Sequence, residues 1–407
     1  MKIKNMSERG FVFFTLFSFI PPAFFDSIPY SRILLYVLRL VCIGLFLIGR
    51  HGVLSIPKKD YERAKYNLFI FIAFFSLFET LSELFKTANP LAMRYFLFYI
   101  GFAFIMVSVI KKNPQLLFEE ATRLFGIYNV IQLITVLIYY PYGMNNYTGA
   151  FGIETVKRGA VYFLGGKNQM FSYMLLFLLC YYFKEMRKNS KIPKIIFLFF
   201  AVFICEAYFL DSAASILTLI FVGATLVIAD SRFLKKTWRL FNPYGLLVAL
   251  SLIFIVFCYL FPIYVSENIG PLAVFLGKYG RNVSFTGRTD IWLQAIDMIK
   301  ENPVLGGNGE YYVAGAGEFV TQAHNGFYDI FSKYGIFAFI SFLLVLLNTA
   351  GSLMKFKINR QMYIYCNSIF FVFLVHKCFE YLDIYLLFCM IFLIVAEVDV
   401  LKKTNIR

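Results

Sequence analysis

The sequence predicts an all-α, polytopic membrane protein with about twelve transmembrane helices. Three observations support this prediction. Apolar residues make up 60% of the 407-residue chain and charged residues only 15%, whereas soluble domains are about a quarter charged. Apolar runs of about 20 residues, the length that a helix needs to cross a bilayer, follow one another along most of the chain. The basic residues fall mainly in the short segments between those runs.

Twelve apolar runs are the predicted spans. Pro21-Pro22 follows the first run in place of a small-residue cleavage site, so this run is expected to be an uncleaved span and not a signal peptide. The runs lie near residues 10–26, 32–49, 66–85, 91–110, 123–140, 168–184, 194–210, 213–229, 244–262, 334–354, 361–378 and 381–399.

The basic residues predict the orientation of these spans. Of the 39 Lys and Arg residues, 26 fall on one side when the spans alternate. Cytoplasmic segments carry such an excess, so both termini are predicted to be cytoplasmic in a multi-pass protein of the cytoplasmic membrane. The net charge of +15 therefore reflects topology, and no nucleic-acid partner is expected.

The whole chain, 1–407, is predicted to form one integral membrane domain with two long outward loops. These are the first polar loop, 141–167, and the second polar loop, 264–333, which lies between spans nine and ten. The seven cysteines lie in or at the ends of apolar runs, without metal-site spacing or an outward pair. Neither a zinc site nor a disulfide framework is indicated.

The first polar loop ends in glycines and cations directly before a span. Gly165-Gly166 allows a tight turn and close approach to a ligand. Arg158 and Lys167 place positive charge there, and Asn168 enters the span. Two interpretations remain open, a ligand site or ordinary cations at the membrane interface.

The second polar loop contains a predicted amphipathic helix over 290–300. Asp290 suits its N-terminus as a cap or first-turn acid. Trp292 is expected to anchor the helix at the outer membrane surface. Asn302-Pro303 ends the helix and a glycine-rich turn follows.

Two histidines lie at the outer ends of spans. His324 comes shortly before span ten, on a segment expected to become the helix that enters this span, and a lone histidine there does not by itself indicate a function. His376 lies beside Lys377 and Glu380, and pairing with this carboxylate is expected.

Charge is costly inside or directly beside a span, and five ionisable residues there are singled out as candidates. The favoured interpretation is structural pairing, in which the two glutamates neutralise the two arginines between helices. Coupling to a proton or ion is the alternative. The five residues are Arg39, Glu79, Glu83, Arg94 and Asp211.

Several of these motifs occur together in one order. Gly287-Arg288-Thr289-Asp290-Ile291-Trp292 is followed by Asn302-Pro303-Val304-Leu305-Gly306, and then by His324-Asn325 upstream of Gly335. Arg158, Gly165 and Asn168 precede them. In order and spacing, over roughly 150–350, this set resembles the signature of the O-antigen ligase and polymerase superfamily.

The resemblance implies a glycosyltransferase whose donor is an undecaprenyl-pyrophosphate-linked glycan. It would act on the outer face of the cytoplasmic membrane without a metal or other cofactor, and neither polar loop contains an Asp-x-Asp metal motif. Arg158 and Arg288 would bind the donor pyrophosphate, and His324 would act as base. The other predicted substrate-binding residues are Lys167, Asn168, Asn325, Asp290 and Trp292.

Three functions remain open at this point. A Wzy-type polymerase would extend lipid-linked repeat units into capsular, O-antigen or exopolysaccharide, together with a chain-length regulator and a flippase as pathway partners. A ligase would transfer the finished polymer to another acceptor. A flippase or secondary transporter would instead use the charges inside the spans. The polymerase is favoured.

Overall fold

The structure, a computed structural model, is an assembly of α-helices. It describes residues 8–48, 60–146, 160–166, 168–189, 193–228, 241–267, 288–313 and 318–405. The α-helices in these ranges are α1 Glu8–Phe19, α2 Ser31–Ile48, α3 Asp60–Thr87, α4 Met93–Lys112, α5 Pro114–Tyr139, α6 Met170–Asn189, α7 Ile195–Phe209, α8 Ala213–Ile228, α9 Pro243–Ile253, α10 Phe261–Glu267, α11 Arg288–Glu301, α12 Gly326–Leu353, α13 Arg360–Lys377 and α14 Ile384–Asn405.

Two small antiparallel hairpins complete the fold. The first pairs β1, Asn145–Asn146, with β2, Ala160–Val161. The second pairs β3, Tyr311–Val313, with β4, Glu318–Val320. Both hairpins fall inside the polar loops predicted from the sequence.

Within the described ranges, seven segments are long and apolar enough to cross a membrane, by length and composition. The protein is therefore an all-α, polytopic membrane protein, while the count of twelve spans stays a prediction. The seven segments are Ser31–Ile48, Ala64–Thr87, Pro90–Lys112, Pro114–Tyr139, Pro243–Tyr264, Gly326–Lys357 and Ile384–Leu401.

The first predicted span is shorter than expected. It was predicted to reach residue 26, but α1 ends at Phe19. Pro21-Pro22 explains the difference, because proline lacks an N–H and disfavours helical geometry in the residue before it. A short 3₁₀ helix, Ala23–Ser27, follows instead.

The helices differ in how deeply they lie in the bundle. In α14, 83% of the spanning residues are buried, whereas in Pro243–Tyr264 only 17% are. The last span thus lies at the centre of the bundle and the α9 segment at its periphery. Between α9 and α10, the residues Phe254–Leu260 form a π-helix, and α10 then continues past the predicted span end at residue 262.

Helix α12 starts eight residues before the predicted start of span ten, inside the second polar loop. Asn325 caps it, and Gly335 interrupts it with φ 77° and ψ −174°. The backbone after α11 packs into this break, where Ile336 N donates to Pro303 O at 2.9 Å and Gly307 N donates to Ser332 O at 2.7 Å. The break thus ties α11 to α12 and fixes one side of the site.

Candidate functional site

One carboxylate joins residues from both ends of the predicted motif set. Glu380, in the connection between α13 and α14, accepts hydrogen bonds through Oε1 from Arg288 Nη2 and from Asn168 Nδ2, each at 2.6 Å. Arg288 Nη1 donates to Phe379 O at 2.6 Å. The side chains of Arg288 and Glu380 are only 22% and 12% exposed, so little water screens this ion pair.

Asn168 is held on its other side as well. Its Oδ1 lies 2.7 Å from Ser212 Oγ, which lies 2.7 Å from Ser215 Oγ. Ser212 directly precedes α8, and Asn168 lies just before α6, as the sequence predicted for a residue entering a span. The amide therefore connects the N-terminal ends of α6 and α8 to Glu380.

Arg288 is positioned by the first turn of α11. The predicted helix over 290–300 is confirmed, with a start two residues earlier, and Asp290 is an exposed first-turn acid as predicted. The buried face of α11 is the apolar face of the predicted amphipathic helix. It consists of Thr289, Ile291, Trp292, Ala295 and Ile296.

The interfacial role predicted for Trp292 is wrong. Its side chain is fully buried, and its indole N–H donates to Ala323 O at 2.9 Å. A buried tryptophan needs an acceptor for this N–H, and the backbone beside His324 supplies one. Trp292 thus supports the segment that carries His324 from within the fold.

His324 has a left-handed backbone, with φ 48°. This region is uncommon for residues other than glycine and costs about 1–3 kcal/mol, so its surroundings must hold it. On one side Ala323 N donates to Asp329 Oδ1 at 2.9 Å. On the other, Asn325 Oδ1 accepts from the N–H groups of Phe327 and Tyr328 at 3.0 and 3.1 Å.

The environment of His324 favours its neutral form. Burial lowers the pKa of His324 below its ordinary value, and the nearby Arg288 cation lowers this pKa further. Lys333 acts in the same direction, while Glu380 and Asp329 oppose it. A neutral imidazole at pH 7 can accept a proton, which is what a general base requires.

Lys333 is a cation that the sequence analysis missed. It pairs with Asp329 across 2.7 Å, one helical turn away, and its Nζ also donates to Thr321 O. The signal was the i, i+4 spacing of Asp329 and Lys333 upstream of Gly335, which suits a helix that continues into the loop.

Two of the predicted site residues, Arg158 and Lys167, lie outside the described residues. The structure thus brings together Arg288, Asn168, His324 and Asn325, with Asp290 and Trp292 on the same helix as Arg288. Glu380 connects them and was not among the predicted site residues. No local motif marks it, because its partners lie 92 and 212 residues away.

The pairing predicted for His376 is also wrong. Its ring lies against Phe171 with centroids 4.4 Å apart, and both ring nitrogens are buried without a hydrogen-bond partner in the described chain. Glu380, the carboxylate predicted to pair with His376, instead accepts hydrogen bonds from Arg288 and Asn168. A guanidinium makes the stronger, charge-assisted bonds to Glu380.

The glutamates and arginines inside the spans do not pair as predicted. Arg39 donates through Nε to Ser18 O at 3.0 Å, and Arg94 through Nη2 to Tyr95 OH at 3.2 Å. Glu83 forms an ion pair with Lys86 at 3.3 Å, one turn along its own helix. Glu79 is buried, and its carboxyl group interacts with the side chain of Tyr334. The arginines are surrounded by aromatic rings, which stabilise cations without a carboxylate.

Asp211 does not lie inside a helix. It occupies the turn between α7 and α8, with φ 53°. Its N–H donates to Tyr208 O at 3.0 Å, as at a helix C-terminus.

Residues 196–343 match a family model described as O-antigen ligase (Wzy_C). The matched region runs from α7 into α12 and includes Arg288, His324 and Asn325. Neither a curated protein nor a solved structure was found to match the chain. Asn168 and Glu380, which meet Arg288 in space, lie outside the matched region.

Proposed function

We propose that this chain, whose residues 196–343 match the O-antigen ligase family model, belongs to the O-antigen ligase and polymerase superfamily and is a Wzy-type polymerase. It would transfer a growing glycan from one undecaprenyl-pyrophosphate carrier to the next lipid-linked repeat unit, at the outer face of the cytoplasmic membrane. The proposal rests on one observation: Arg288 and Asn168 both bind Glu380, and the charges of Arg288 and Glu380 both act on the nearby His324.

In this reaction Arg288 binds the pyrophosphate of the donor. The glycosidic C–O bond breaks with its electron pair going to the pyrophosphate, whose developing charge needs a fixed cation. A guanidinium has five N–H donors, and Glu380 and Phe379 O use two of Arg288's. The remaining N–H groups can reach phosphate oxygens while Glu380 holds the group in place. Arg158 and Lys167 of the first polar loop are proposed to complete this binding.

His324 is the proposed base. The acceptor hydroxyl oxygen attacks the anomeric carbon as the bond to pyrophosphate breaks, and its proton passes to the neutral imidazole. Attack opposite the leaving group inverts the anomeric centre. Asn325 fixes the backbone beside His324, and Asp290 and Trp292 belong to the helix that carries Arg288.

The partners proposed from this chemistry are the lipid-linked donor and acceptor and the surrounding membrane lipid. A chain-length regulator and a flippase of the same pathway are proposed as protein partners. No metal or other cofactor has a step in this mechanism.

A ligase is the second candidate, because the matching family model is itself described as O-antigen ligase. Both reactions use the same donor chemistry and differ in the acceptor. In a strain that lacks this gene, a surface glycan reduced to a single repeat unit would support the polymerase. Long polymer that stays on its lipid carrier would instead support the ligase.

The enzyme proposal is tested with Arg288→Gln and a matched control. Loss of one preorganised charge donor typically costs about 3 kcal/mol of barrier, or roughly a hundredfold in rate. Lys300→Gln removes a cation from the same helix, where Lys300 is exposed and pairs with Asp297 at 3.0 Å. We expect loss of polymer in the first variant and normal polymer in the second, at equal protein levels. Normal polymer in both would contradict the proposal.

A further inference from the structure

Two arginines inside the bundle approach the same aromatic ring. Arg39 lies on α2 and Arg94 in the first turn of α4, and their guanidinium carbons lie 5.8 and 5.5 Å from the centroid of Tyr36. Arg39 also lies 4.9 Å from the ring centroid of Tyr385. Arg94 lies 5.0 Å from that of Tyr95. The pair forms a cationic cluster lined by tyrosines.

The described protein offsets the charge of this cluster only at longer range, through Asp383 near Arg39 and Glu83 near Arg94. No carboxylate of the described ranges lies within 4.0 Å of either guanidinium. The hydrogen bonds to Ser18 O and Tyr95 OH use one N–H of each arginine. Arg94 Nε is buried without a hydrogen-bond partner in the described chain. Two like charges in a membrane bundle are costly, so an anion bound between them would be strongly stabilised.

The cluster and the Glu380 site each have a neighbour in the connection between α13 and α14. Asp383, three residues after Glu380, is close enough to both Arg39 and Lys377 for their charges to interact. Arg288, in contrast, bonds to Phe379 and Glu380 at the start of the same connection. The molecule therefore presents two separate cationic sites joined by the segment 378–383.

A polymerase needs two such sites, because both of its substrates carry a lipid pyrophosphate. The donor reacts at the carbon bonded to its own pyrophosphate. The acceptor reacts through a hydroxyl at the far end of its repeat unit, so its pyrophosphate must lie away from the reacting atoms. A ligase, whose acceptor is no pyrophosphate-linked repeat unit, has no use for the second site.

We propose that Arg39 and Arg94 bind the pyrophosphate of the acceptor carrier, an inference that rests on the polymerase function proposed above. Guanidinium groups bind phosphate oxygens through paired N–H groups and keep their charge at any physiological pH. The tyrosines pack against the guanidinium faces and leave their edges for the anion. The site thus fixes the acceptor at its lipid end while the repeat unit extends toward His324.

Binding is measured on the full-length protein in nanodiscs of phosphatidylcholine, with undecaprenyl pyrophosphate as the probe. We expect two bound lipids per chain in the wild type and one in the double variant Arg39→Gln/Arg94→Gln. The variant Arg288→Gln should keep the lipid bound at the cluster. Arg123→Gln is the matched control, since Arg123 also lies over an aromatic ring, 5.4 Å from the centroid of Phe13, and should keep both lipids.

Kinetics separate the acceptor from the donor. With preformed polymer on its carrier as the donor, the lipid-linked repeat unit is compared with the same repeat unit as a free oligosaccharide. We expect the double variant to raise the KM of the lipid-linked acceptor about tenfold or more, the effect of losing one or two charge-assisted hydrogen bonds. The free oligosaccharide should react equally in both proteins. Arg39→Lys/Arg94→Lys, which keeps the charge, should recover part of the difference.

Three results would overturn the inference. One is two bound lipids in a correctly inserted double variant, and another is an unchanged acceptor KM. The third is equal competition by phosphatidylglycerol, which would make the cluster a site for bulk anionic phospholipid. Two bound lipids in a wild-type protein that makes no polymer would instead refute the proposed function and leave the lipid site standing.

Discussion

Glu380 determines how Arg288 and Asn168 are held, because one of its oxygen atoms accepts from both. Glu380→Gln keeps the size of the side chain and removes its charge. Two charge-assisted hydrogen bonds are then weakened, each worth about 2 kcal/mol. We expect transfer to fall by at least tenfold with the donor KM raised, measured with purified protein and a lipid-linked donor.

A control separates this effect from general damage to the fold. Glu310→Gln removes an exposed carboxylate from the same half of the chain and should leave transfer unchanged. Equal rates for wild type and Glu380→Gln would show that the carboxylate has no part in positioning Arg288.

His324 predicts the pH dependence of transfer. A base acts in its neutral form, so activity should be present above the lowered pKa of His324 and lost as the pH falls through it. The kcat/KM profile should therefore inflect below the ordinary histidine pKa of about 6.5.

Lys333 provides a test of that assignment. Its cation lowers the pKa of His324, so Lys333→Gln should move the inflection to higher pH. An unchanged inflection of the kcat/KM profile in Lys333→Gln would show that a group other than His324 titrates. Loss of activity at low pH that persists in His324→Gln would show the same.

Among the individual residues, Arg288, Asn168 and His324 could be named as candidate site residues from the sequence, because each stands in a local motif. It did not predict Glu380 or the neighbours of Arg39. Those contacts join residues far apart in the chain, and only the packing of the helices decides them.

Among the elements, the break in α12 most strongly constrains the backbone. A Cβ at Gly335 would lie 2.0 Å from Val304 O, and φ 77° is strained for any other residue. Gly335→Ala should lower the free energy of unfolding by about 2–4 kcal/mol and separate α11 from α12. Thermal unfolding in detergent measures the loss.

The matched control lies on α2. A Cβ at Gly44 would meet nothing within 4 Å, so Gly44→Ala should be neutral or slightly stabilising. If both variants unfold at the same temperature, the break does not hold the loop to the span.

The elements were predicted to different degrees. The apolar spacing of α11 gave both its extent and its buried face, because helical periodicity is a local property. The early start of α12 was missed, because the apolar run that placed span ten begins only near residue 334. Only the chain that packs into the break reveals that helix lies on both sides of it.

For the whole molecule, the prediction that remains to be measured is the topology. Twelve spans with cytoplasmic termini place residues 112 and 355 inside and residues 211 and 300 outside. Reporter fusions at these four positions should be active on the corresponding sides. An inside signal at 300 would remove the second polar loop from the side where the substrate is proposed to be.

The all-α, polytopic class follows from composition alone, because hydrocarbon demands helices whose backbone groups are satisfied internally. The span count does not follow as directly. Short apolar helices such as α7 cannot be counted as crossing or not crossing by length and composition.

The position of Glu380 along the chain also has a consequence for biosynthesis. During synthesis Asn168 emerges from the ribosome first and Arg288 much later. Glu380, the acceptor that they share, emerges after both. The guanidinium of Arg288 and the amide of Asn168 therefore lack the carboxylate that they share until the connection before α14 has been synthesised. The proposed donor site can therefore form only after α14, the most deeply buried of the candidate spans that the structure describes, has followed Glu380 into the bundle.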